Sequence, residues 1–328
     1  MNWLVNSWYQ PSPIRWLLAP LSGLYRIIIA LRRYMYRHGV LKSTSLTVPV
    51  IIVGNISVGG TGKTPVVIWL AKQLQQAGYH PGIISRGYGG KLPQQAKVVT
   101  KDSLASDVGD EPIIIFRQTS CPMVVGANRV AAGQKLLDSY DCDVIISDDG
   151  LQHYALERDI EIVVIDGKRK FGNQYCLPAG PLREPLSRLK NVSVLIHNGS
   201  DSDVAHNMQL IQSMAVNLVD STITRPIENF KSTEVHAIAG IGNPTRFFDQ
   251  LTAKGLKLTP HPFADHHPFE LTDIDFGDQK PILMTEKDAV KCQHFANKNM
   301  WYIPIEATIS GKLNQYLLDT LAGLSSHG

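Results

Sequence analysis

Short apolar runs rich in Val and Ile alternate with amphipathic stretches from about residue 48 to the 190s. Such runs are typical of strands that are buried on both faces of a parallel sheet. The stretches between them favour helices, so the alternation predicts an α/β fold with a mostly parallel sheet flanked by helices. The predicted strands are Val48–Val53, Gly82–Ser85, Met123–Val125, Val144–Ser147, Ile160–Val164 and Val192–His197.

The pattern starts again after about residue 229. Val235–Leu251 indicates a strand, a turn and a helix, and two later apolar runs, "PILMTEKDAV" and "MWYIPIEA", indicate further strands. We therefore predict a smaller C-terminal α/β unit, closed by the helix after Ser310. The G-x-G at Gly240–Gly242 favours a tight turn between strand and helix over a nucleotide site.

Apolar residues near the N-terminus recur at helical spacing. On a helical wheel one face is apolar and the opposite face is basic. The apolar face holds Leu17, Leu21, Leu24, Ile28, Leu31 and Met35, and the polar face holds Arg15, Ser22, Arg26, Arg33 and Arg37. Pro20 is expected to break the helix into two pieces, so the segment reads as too interrupted to span a bilayer.

Charge changes the interpretation of this helix. Residues 1–100 hold eleven Lys and Arg and no Asp or Glu, although the whole chain has 32 basic and 29 acidic residues. An anionic membrane surface would favour such a segment, whereas a helix packed on its own protein would not need it. We predict contact with a membrane surface and keep packing on the protein as the alternative.

A glycine-rich turn lies between an apolar strand and a helix in "VIIVGNISVGGTGKTPVVIWL", residues 50–70. This context favours a Walker A phosphate-binding loop, in which backbone amides hold phosphate oxygens. Lys63 would reach the β and γ phosphates, and Thr64 would bind Mg²⁺. The predicted nucleotide-binding residues are Val58, Gly59, Gly60, Thr61, Gly62, Lys63, Thr64 and Pro65.

The loop departs from the usual motif at its start. The first glycine of G-x-x-x-x-G-K-S/T is replaced by Ser57. The remaining "GGTGKT" resembles the loops of partition ATPases, but Val58 stands where those proteins have their signature lysine. The sequence therefore argues against a dimerising ATPase of that kind.

Two acids follow a predicted strand in "DVIISDDG", where Asp148 and Asp149 lie at the edge at which α/β sheets place their ligands. A turn at Gly150 would bring both near one metal ion, which makes them candidate Mg²⁺ ligands. A solvated turn remains the alternative for Asp149.

A second acid pair, Asp110 and Glu111, precedes an apolar run with Pro112 in its first turn. From the residues alone, capping of a helix by Asp110 is favoured. A kinase also needs a carboxylate that accepts a proton from the attacking hydroxyl, and Asp110 is a candidate. Further on, His266 and His267 in "FADHHPF" favour an acid–base pair or plain surface over a metal site.

Cysteine usage excludes two classes of protein. The four cysteines are scattered and have neither a disulfide framework nor zinc spacing, which favours a reducing cytoplasm. No signal peptide is evident.

Taken together, eight segments resemble the tetraacyldisaccharide 4′-kinases, which phosphorylate the lipid A precursor in Gram-negative bacteria. They cover most of the chain in order, and several are long and unusual. The segments are "GNISVGGTGKTPVV", "ISRGYGG" (84–90), "VGDEP", "GANR", "SDDGLQHYAL", "LPAGPLREP", "DHHPF" and "TEKDAVK".

The resemblance implies transfer of the ATP γ-phosphoryl group to the 4′-hydroxyl of tetraacyldisaccharide 1-phosphate, forming lipid IVA at the cytoplasmic face of the inner membrane. It makes Asp110 the catalytic base, assisted by the histidine of the "DH" motif, either His266 or its neighbour His267. It makes ATP and Mg²⁺ the cofactors, with Lys63 catalytic. Thr64, Asp148, Asp149 and Glu111 would lie around the metal, and Arg86, Arg129 and Arg183 would meet phosphates or the lipid.

Three regions follow from these observations. Residues 1–43 are predicted to be a basic amphipathic membrane-associating segment, residues 44–222 a P-loop kinase core, and residues 223–328 a smaller α/β unit that acts as a lid or binds substrate. We expect no nucleic-acid partner and no obligate protein partner. A membrane-bound nucleotide switch without an acceptor hydroxyl remains the alternative function.

Overall fold

The computed structural model describes residues 2–87, 95–199 and 205–325. The last three residues of the predicted motif at 84–90 lie outside these ranges. The strands are β1 (Val50–Gly54), β2 (Pro81–Ser85), β3 (Lys97–Val98), β4 (Met123–Val125), β5 (Val144–Asp148), β6 (Ile160–Asp166), β7 (Val194–Asn198), β8 (Asn207–Ile211), β9 (Met214–Asn217), β10 (Thr224–Pro226), β11 (Glu234–Ala239), β12 (Lys257–Pro262), β13 (Ile282–Thr285), β14 (Met300–Ile303) and β15 (Glu306–Ile309).

Helices connect most of these strands. The α-helices are α1 (Asn2–Tyr9), α2 (Ile14–Arg37), α3 (Lys63–Gln76), α4 (Ala105–Val108), α5 (Asp110–Thr119), α6 (Arg129–Ser139), α7 (Pro244–Ala253), α8 (Leu271–Ile274), α9 (Glu286–Cys292) and α10 (Leu313–Ser325). Short 3₁₀ helices lie at Leu186–Asn191, Ile227–Phe230 and Gln293–Phe295.

Within the described ranges, nine strands form a larger sheet in the order β15-β8-β7-β6-β1-β5-β2-β4-β3. Its central strands run parallel and are buried along their whole length. Side chains of β1 alternate between two cores: Ile51 and Val53 face α3, α5 and α10, while Val50 and Ile52 face α6. The predicted α/β fold with helices on both sheet faces is confirmed.

A smaller sheet holds six strands in the order β10-β9-β14-β13-β11-β12. Helix α7 covers one of its faces, where Phe247 and Leu251 are buried, and α9 covers the other. The predicted strand, turn and helix of Val235–Leu251 appear as β11 and α7, and Gly240–Gly242 is a plain connection between them.

The C-terminal segment returns to the larger sheet. Strand β15 pairs antiparallel with β8, and Leu313, Leu317 and Leu321 of α10 pack into the core beside α3. The prediction that this helix closes the smaller unit was wrong, because its apolar spacing shows that one face is buried but not on which sheet. Strand β9 pairs within the smaller sheet although it precedes residue 222, so the chain crosses twice between the sheets. The region boundaries themselves stay predictions.

The N-terminal helix α2 is continuous over 24 residues with Pro20 inside it. The predicted break was therefore wrong: the proline removes one backbone donor, and the flanking turns still align. By length and composition α2 is long and apolar enough to cross a membrane, so the expectation that it is too interrupted also fails.

Helix α2 docks on the larger unit by its polar side. The buried Ser22 hydroxyl donates to Cys176 O at 2.8 Å, and Arg32 donates to Gln152 O at 3.2 Å. The predicted apolar face points away from the protein: Leu17 is 79% exposed, and Leu21, Leu24, Ile28 and Leu31 are each more than half exposed. Packing of this face on the protein, the alternative interpretation, does not occur in the structure.

Candidate active site

The glycine-rich turn after β1 is held by one nearby side-chain donor and by two from distant parts of the chain. Three successive carbonyls of the turn each accept a hydrogen bond from a side chain. The pairs are Asn55 Nδ2 to Gly59 O (3.4 Å), the Arg169 guanidinium to Gly60 O, and Asn198 Nδ2 to Thr61 O (2.9 Å). These bonds tie the carbonyls of the turn to side chains of the larger unit.

Helix α3 begins without a side-chain cap. Its N-cap residue is Gly62, whose backbone is left-handed with φ of 96° and which has no side chain to cap the helix. A Cβ at Gly62 would lie 2.7 Å from Asn198 Nδ2, so glycine is required there. An uncapped helix start with a lysine as its first residue is a site for an anion such as phosphate.

The missing first glycine has a structural explanation. Ser57 forms an isolated bridge with Leu182, and the amide of Val58 donates to Pro181 O at 2.8 Å. Ser57 does not have a positive φ. Because this position is paired rather than turned, a side chain is accommodated.

Asp148 and Asp149 diverge at the end of β5 because Asp149 has a φ of 48°. Asp148 is buried and accepts from Ser85 Oγ at 3.0 Å. Burial, together with nearby Glu111 and Asp149, raises the pKa of Asp148 to about 7 despite Lys63. Its Oδ1 has no hydrogen-bond partner within the described ranges. A buried carboxylate of this kind requires a cation or a proton.

Asp149 lies between two cations. Its Oδ1 is 3.6 Å from Lys63 Nζ and 3.1 Å from an Arg183 nitrogen. Burial acts to raise the pKa of Asp149, but Lys63 and Arg183 outweigh it and the pKa is lowered. The solvated-turn alternative for Asp149 does not describe this environment, since the carboxylate is bound to the phosphate-loop lysine.

Helix α5 begins at Asp110, and its N-cap is Gly109, which makes no capping bond. The capping interpretation of Asp110 was therefore wrong: the residue lies inside the helix and its carboxylate is free to face another element. Asp110 is 7% exposed, and its Oδ2 lies 3.4 Å from His266 Nδ1. The neighbouring Glu111 accepts from Lys287 Nζ at 2.5 Å.

The two adjacent histidines have different partners. His266, with a φ of 61°, faces Asp110 from the loop after β12. His267 Nε2 lies 2.9 Å from Asp273 Oδ2, and its ring packs against Phe263 and Phe269. The structure thus places His266, and not His267, beside Asp110.

Comparison with known proteins shows the family of the chain. Residues 14–322 match the family model of LpxK, tetraacyldisaccharide-1-P 4′-kinase. The chain belongs to this family. It is 50% identical to a tetraacyldisaccharide 4′-kinase of Nitrosococcus oceani over 97% of the chain and 94% of the relative. It is 51% identical to one of Methylobacillus flagellatus over 98% of the chain and 97% of the relative.

A solved structure is also similar. The chain aligns with the "apo" form of LpxK from Aquifex aeolicus in complex with ATP at a TM-score of 0.82 and 29% identity. The alignment covers 94% of this chain and 99% of the other. The family predicted from the sequence segments is therefore confirmed, together with the P-loop kinase fold.

The three arginines predicted to meet phosphates or the lipid lie in different environments. Arg183 is bound to Asp149, and Arg86 is exposed at the end of β2. Arg129 is 2% exposed and donates to Gly126 O at 2.6 Å and to Asp148 O at 3.3 Å. Its guanidinium is therefore buried against the backbone of Gly126 and Asp148, while its Nε has no hydrogen-bond partner among the described residues. The predicted contact of Arg129 with a phosphate stays a prediction.

Several site residues were not assigned from sequence. Asn198 and Arg169 hold the phosphate loop from the ends of β7 and β6, and no spacing in the sequence connects them to it. Lys287 and Lys291 lie in the quoted segment "TEKDAVK", which was recognised without a role. Their spacing of one helical turn was the available signal.

The acids fit a Mg²⁺ ion held jointly with a nucleotide. No group of three or more His, Cys, Asp or Glu in the described part of the chain could hold a metal by itself. Mg²⁺ is usually held by one or two carboxylates together with phosphates and water. The unpartnered Oδ1 of buried Asp148 is suited to that arrangement.

Proposed function

We propose that the protein transfers the γ-phosphoryl group of ATP to the 4′-hydroxyl of tetraacyldisaccharide 1-phosphate and so forms lipid IVA. The observation that carries the proposal is the juxtaposition of two half-sites. The smaller unit brings His266 to Asp110, and the glycine-rich loop brings Lys63 to Asp149. The two halves are close together, since the charges of Lys63 and Asp149 both act on the pKa of Glu111, the neighbour of Asp110. ATP as the donor is supported by the ATP complex of the Aquifex aeolicus LpxK.

In this mechanism Asp110 accepts the proton of the 4′-hydroxyl while the hydroxyl oxygen forms a bond to the γ-phosphorus of ATP. The bond between the γ-phosphorus and the oxygen that bridges it to the β-phosphate breaks, and ADP leaves. His266 at 3.4 Å orients the Asp110 carboxylate and shares the proton. Lys63 stabilises the charge that develops on the phosphoryl oxygens. Thr64, Asp148, Asp149 and Glu111 are the residues that would hold Mg²⁺, which would neutralise phosphate charge.

The deciding experiment is mass spectrometry of purified protein incubated with Mg·ATP and the lipid disaccharide 1-phosphate. We expect a product heavier by one phosphate on the 4′ position. ATP hydrolysis without any phosphorylated lipid would instead support the nucleotide switch and overturn the kinase proposal.

Helix α2 would anchor the protein on the cytoplasmic face of the inner membrane. Its leucine face is exposed, while Ser22 and Arg32 bind the kinase unit. This arrangement would hold the active site beside the bilayer from which a lipid substrate must come.

Binding to vesicles tests the anchor. Changing Leu17, Leu21 and Leu24 together to Ser should lower binding to vesicles with anionic lipid more than about tenfold, because each leucine contributes roughly 1.5–3 kcal/mol when buried. The same change at Leu271, an exposed leucine of α8, should have no effect. Equal binding of all variants would contradict the anchor.

A further inference from the structure

Two lysines of α9 face the two acids at the start of α5. Lys287 and Lys291 are one helical turn apart, and Asp110 and Glu111 are adjacent. Lys287 Nζ lies 2.5 Å from Glu111 Oε1, and Lys291 Nζ lies 3.7 Å from Asp110 Oδ2. The smaller unit therefore meets the candidate base with a cation as well as with a histidine.

Lys291 has a second carboxylate partner in Asp288. Asp288 is fully buried, and its Oδ2 accepts from the Gly240 amide at 3.0 Å and the Thr285 hydroxyl at 2.6 Å. Its Oδ1 has no hydrogen-bond partner among the residues described, and Lys291 Nζ lies 3.6 Å from it. A buried carboxylate needs a nearby cation. Asp288 therefore attracts the Lys291 ammonium, and because both residues belong to α9, Lys291 is held in place by its own helix.

The same network reaches His266. The Gly240 carbonyl accepts from the His266 amide at 3.3 Å, while the Gly240 amide is bound to Asp288. Asp288 thus anchors both groups that contact Asp110: the histidine through Gly240, and the lysine directly. The two contacts come from a single rigid corner of the smaller unit.

We propose that Lys291 is a positioning residue for phosphoryl transfer, whose ammonium holds the Asp110 carboxylate in the orientation that faces His266 and the acceptor hydroxyl. The inference rests on the proposed function, because it presumes that Asp110 is the base. Lys291 is only 11% exposed and lies 5.8 Å from the ring centre of Phe269. In this partly dry setting its charge acts more strongly on Asp110 than it would in water.

A different role would have different consequences. If Lys291 only joined the two units, its loss would weaken stability or substrate binding and leave the rate of the bound complex unchanged. If it orients Asp110, its loss lowers kcat and leaves the KM for ATP unchanged. The two roles are therefore separated by the split between kcat and KM.

The experiment compares Lys291→Met, Lys291→Gln and Lys291→Arg in the full-length protein, with Lys298→Met as the control because Lys298 is an exposed lysine of the same unit. We expect kcat to fall by about tenfold or more in the Met and Gln variants. This loss should be smaller than the roughly 10²- to 10⁴-fold contribution that a general base itself makes to the rate. The Arg variant, which keeps the charge, should recover most of the rate. Thermal melting shows which variants fold. If one of the two neutral variants does not fold, kcat of the other still tests the inference.

A double-mutant cycle with Asp110→Asn identifies the route of the effect. If Lys291 acts through Asp110, adding Lys291→Gln to Asp110→Asn lowers kcat no further. Normal kcat in the neutral variants, a change in KM alone, or independent effects in the cycle would each overturn the inference. If Asp110→Asn itself transfers phosphate at a near-normal rate, the assignment of the base fails instead, so the two failures are distinguishable.

Discussion

The glycine-containing turn between β1 and α3 and the one between β11 and α7 each join a strand to a helix, and they differ in chemistry. The turn between β1 and α3 ends at the left-handed Gly62 and leaves the helix start without a side-chain cap. The turn between β11 and α7 ends at Asn243, whose side chain accepts from the Arg246 amide at 3.3 Å, and Pro244 has no amide hydrogen to offer. The start of α3 thus has no side-chain cap, whereas the start of α7 is capped by Asn243.

We propose that this difference makes the first turn a phosphate site. Both turns contain glycine, but the first has carbonyls bound by distant side chains and a lysine as the first residue of its helix. An anion is attracted where several uncapped amides and a positive charge converge. The predictions below test whether these features, and not glycine content, separate the two turns.

The largest effect is expected at the lysine. Lys63→Ala should lower phosphoryl transfer by about 10²- to 10³-fold, because it removes a charge that stabilises the transferring group. Arg246→Ala, at an exposed cation in the first turn of α7, should leave the rate within about twofold. Product formation from labelled ATP measures both. Comparable losses in the two variants would mean that the comparison is wrong.

A smaller effect is expected from the glycines. Gly62→Ala forces a left-handed φ on a side chain and places a Cβ 2.7 Å from Asn198 Nδ2 and 2.8 Å from Met208 Cε. It should cost about 1–2 kcal/mol of stability and weaken ATP binding. At Gly242 the nearest atom would lie at an ordinary 3.5 Å, so Gly242→Ala should change neither. Calorimetric titration with ATP and thermal melting measure the two effects. Unchanged ATP affinity and stability in Gly62→Ala would contradict the requirement for glycine at this position.

The smallest effect concerns the cap of α7. Asn243→Ala should lower the free energy of unfolding by about 0.5–2 kcal/mol, the usual cost of losing an N-cap side chain. Phosphoryl transfer should be unchanged, because this helix start binds no phosphate in the proposed mechanism. Urea unfolding and the transfer assay are the measurements. A loss of ATP affinity in this variant would place a nucleotide contact in the smaller unit.

Much of the fold followed from local pattern. The central strands appeared within about two residues of their predicted ends, as at Met123–Val125, because buried apolar runs have a clear signature. The predicted break at Pro20 and the predicted place of α10 were wrong for different reasons. At Pro20 the loss of one backbone donor does not interrupt the helix. For α10, periodicity shows which face of a helix is apolar but not what that face meets. The leucines of the apolar face of α2 are exposed, whereas those of α10 pack against the larger sheet.

The candidate site divides in the same way. Lys63 and the glycines beside it were predictable because a strand, turn and helix are contiguous in sequence. Asn198 lies 137 residues from its partner Thr61, and Lys287 lies 176 residues from Glu111. No local rule connects residues at such separations, so their roles required the structure.

The amino-acid sequence alone determined the α/β fold, the glycine-rich turn between β1 and α3, the supply of acids and the family. Only the tertiary structure decided that His266 and not His267 faces Asp110, that Arg129 is buried, and that Lys291 joins Asp110 to Asp288. The physical reason is the distance along the chain over which each kind of interaction acts. Backbone preferences and periodicity act over a few residues, whereas the partner of a charged side chain depends on how two separate sheets pack.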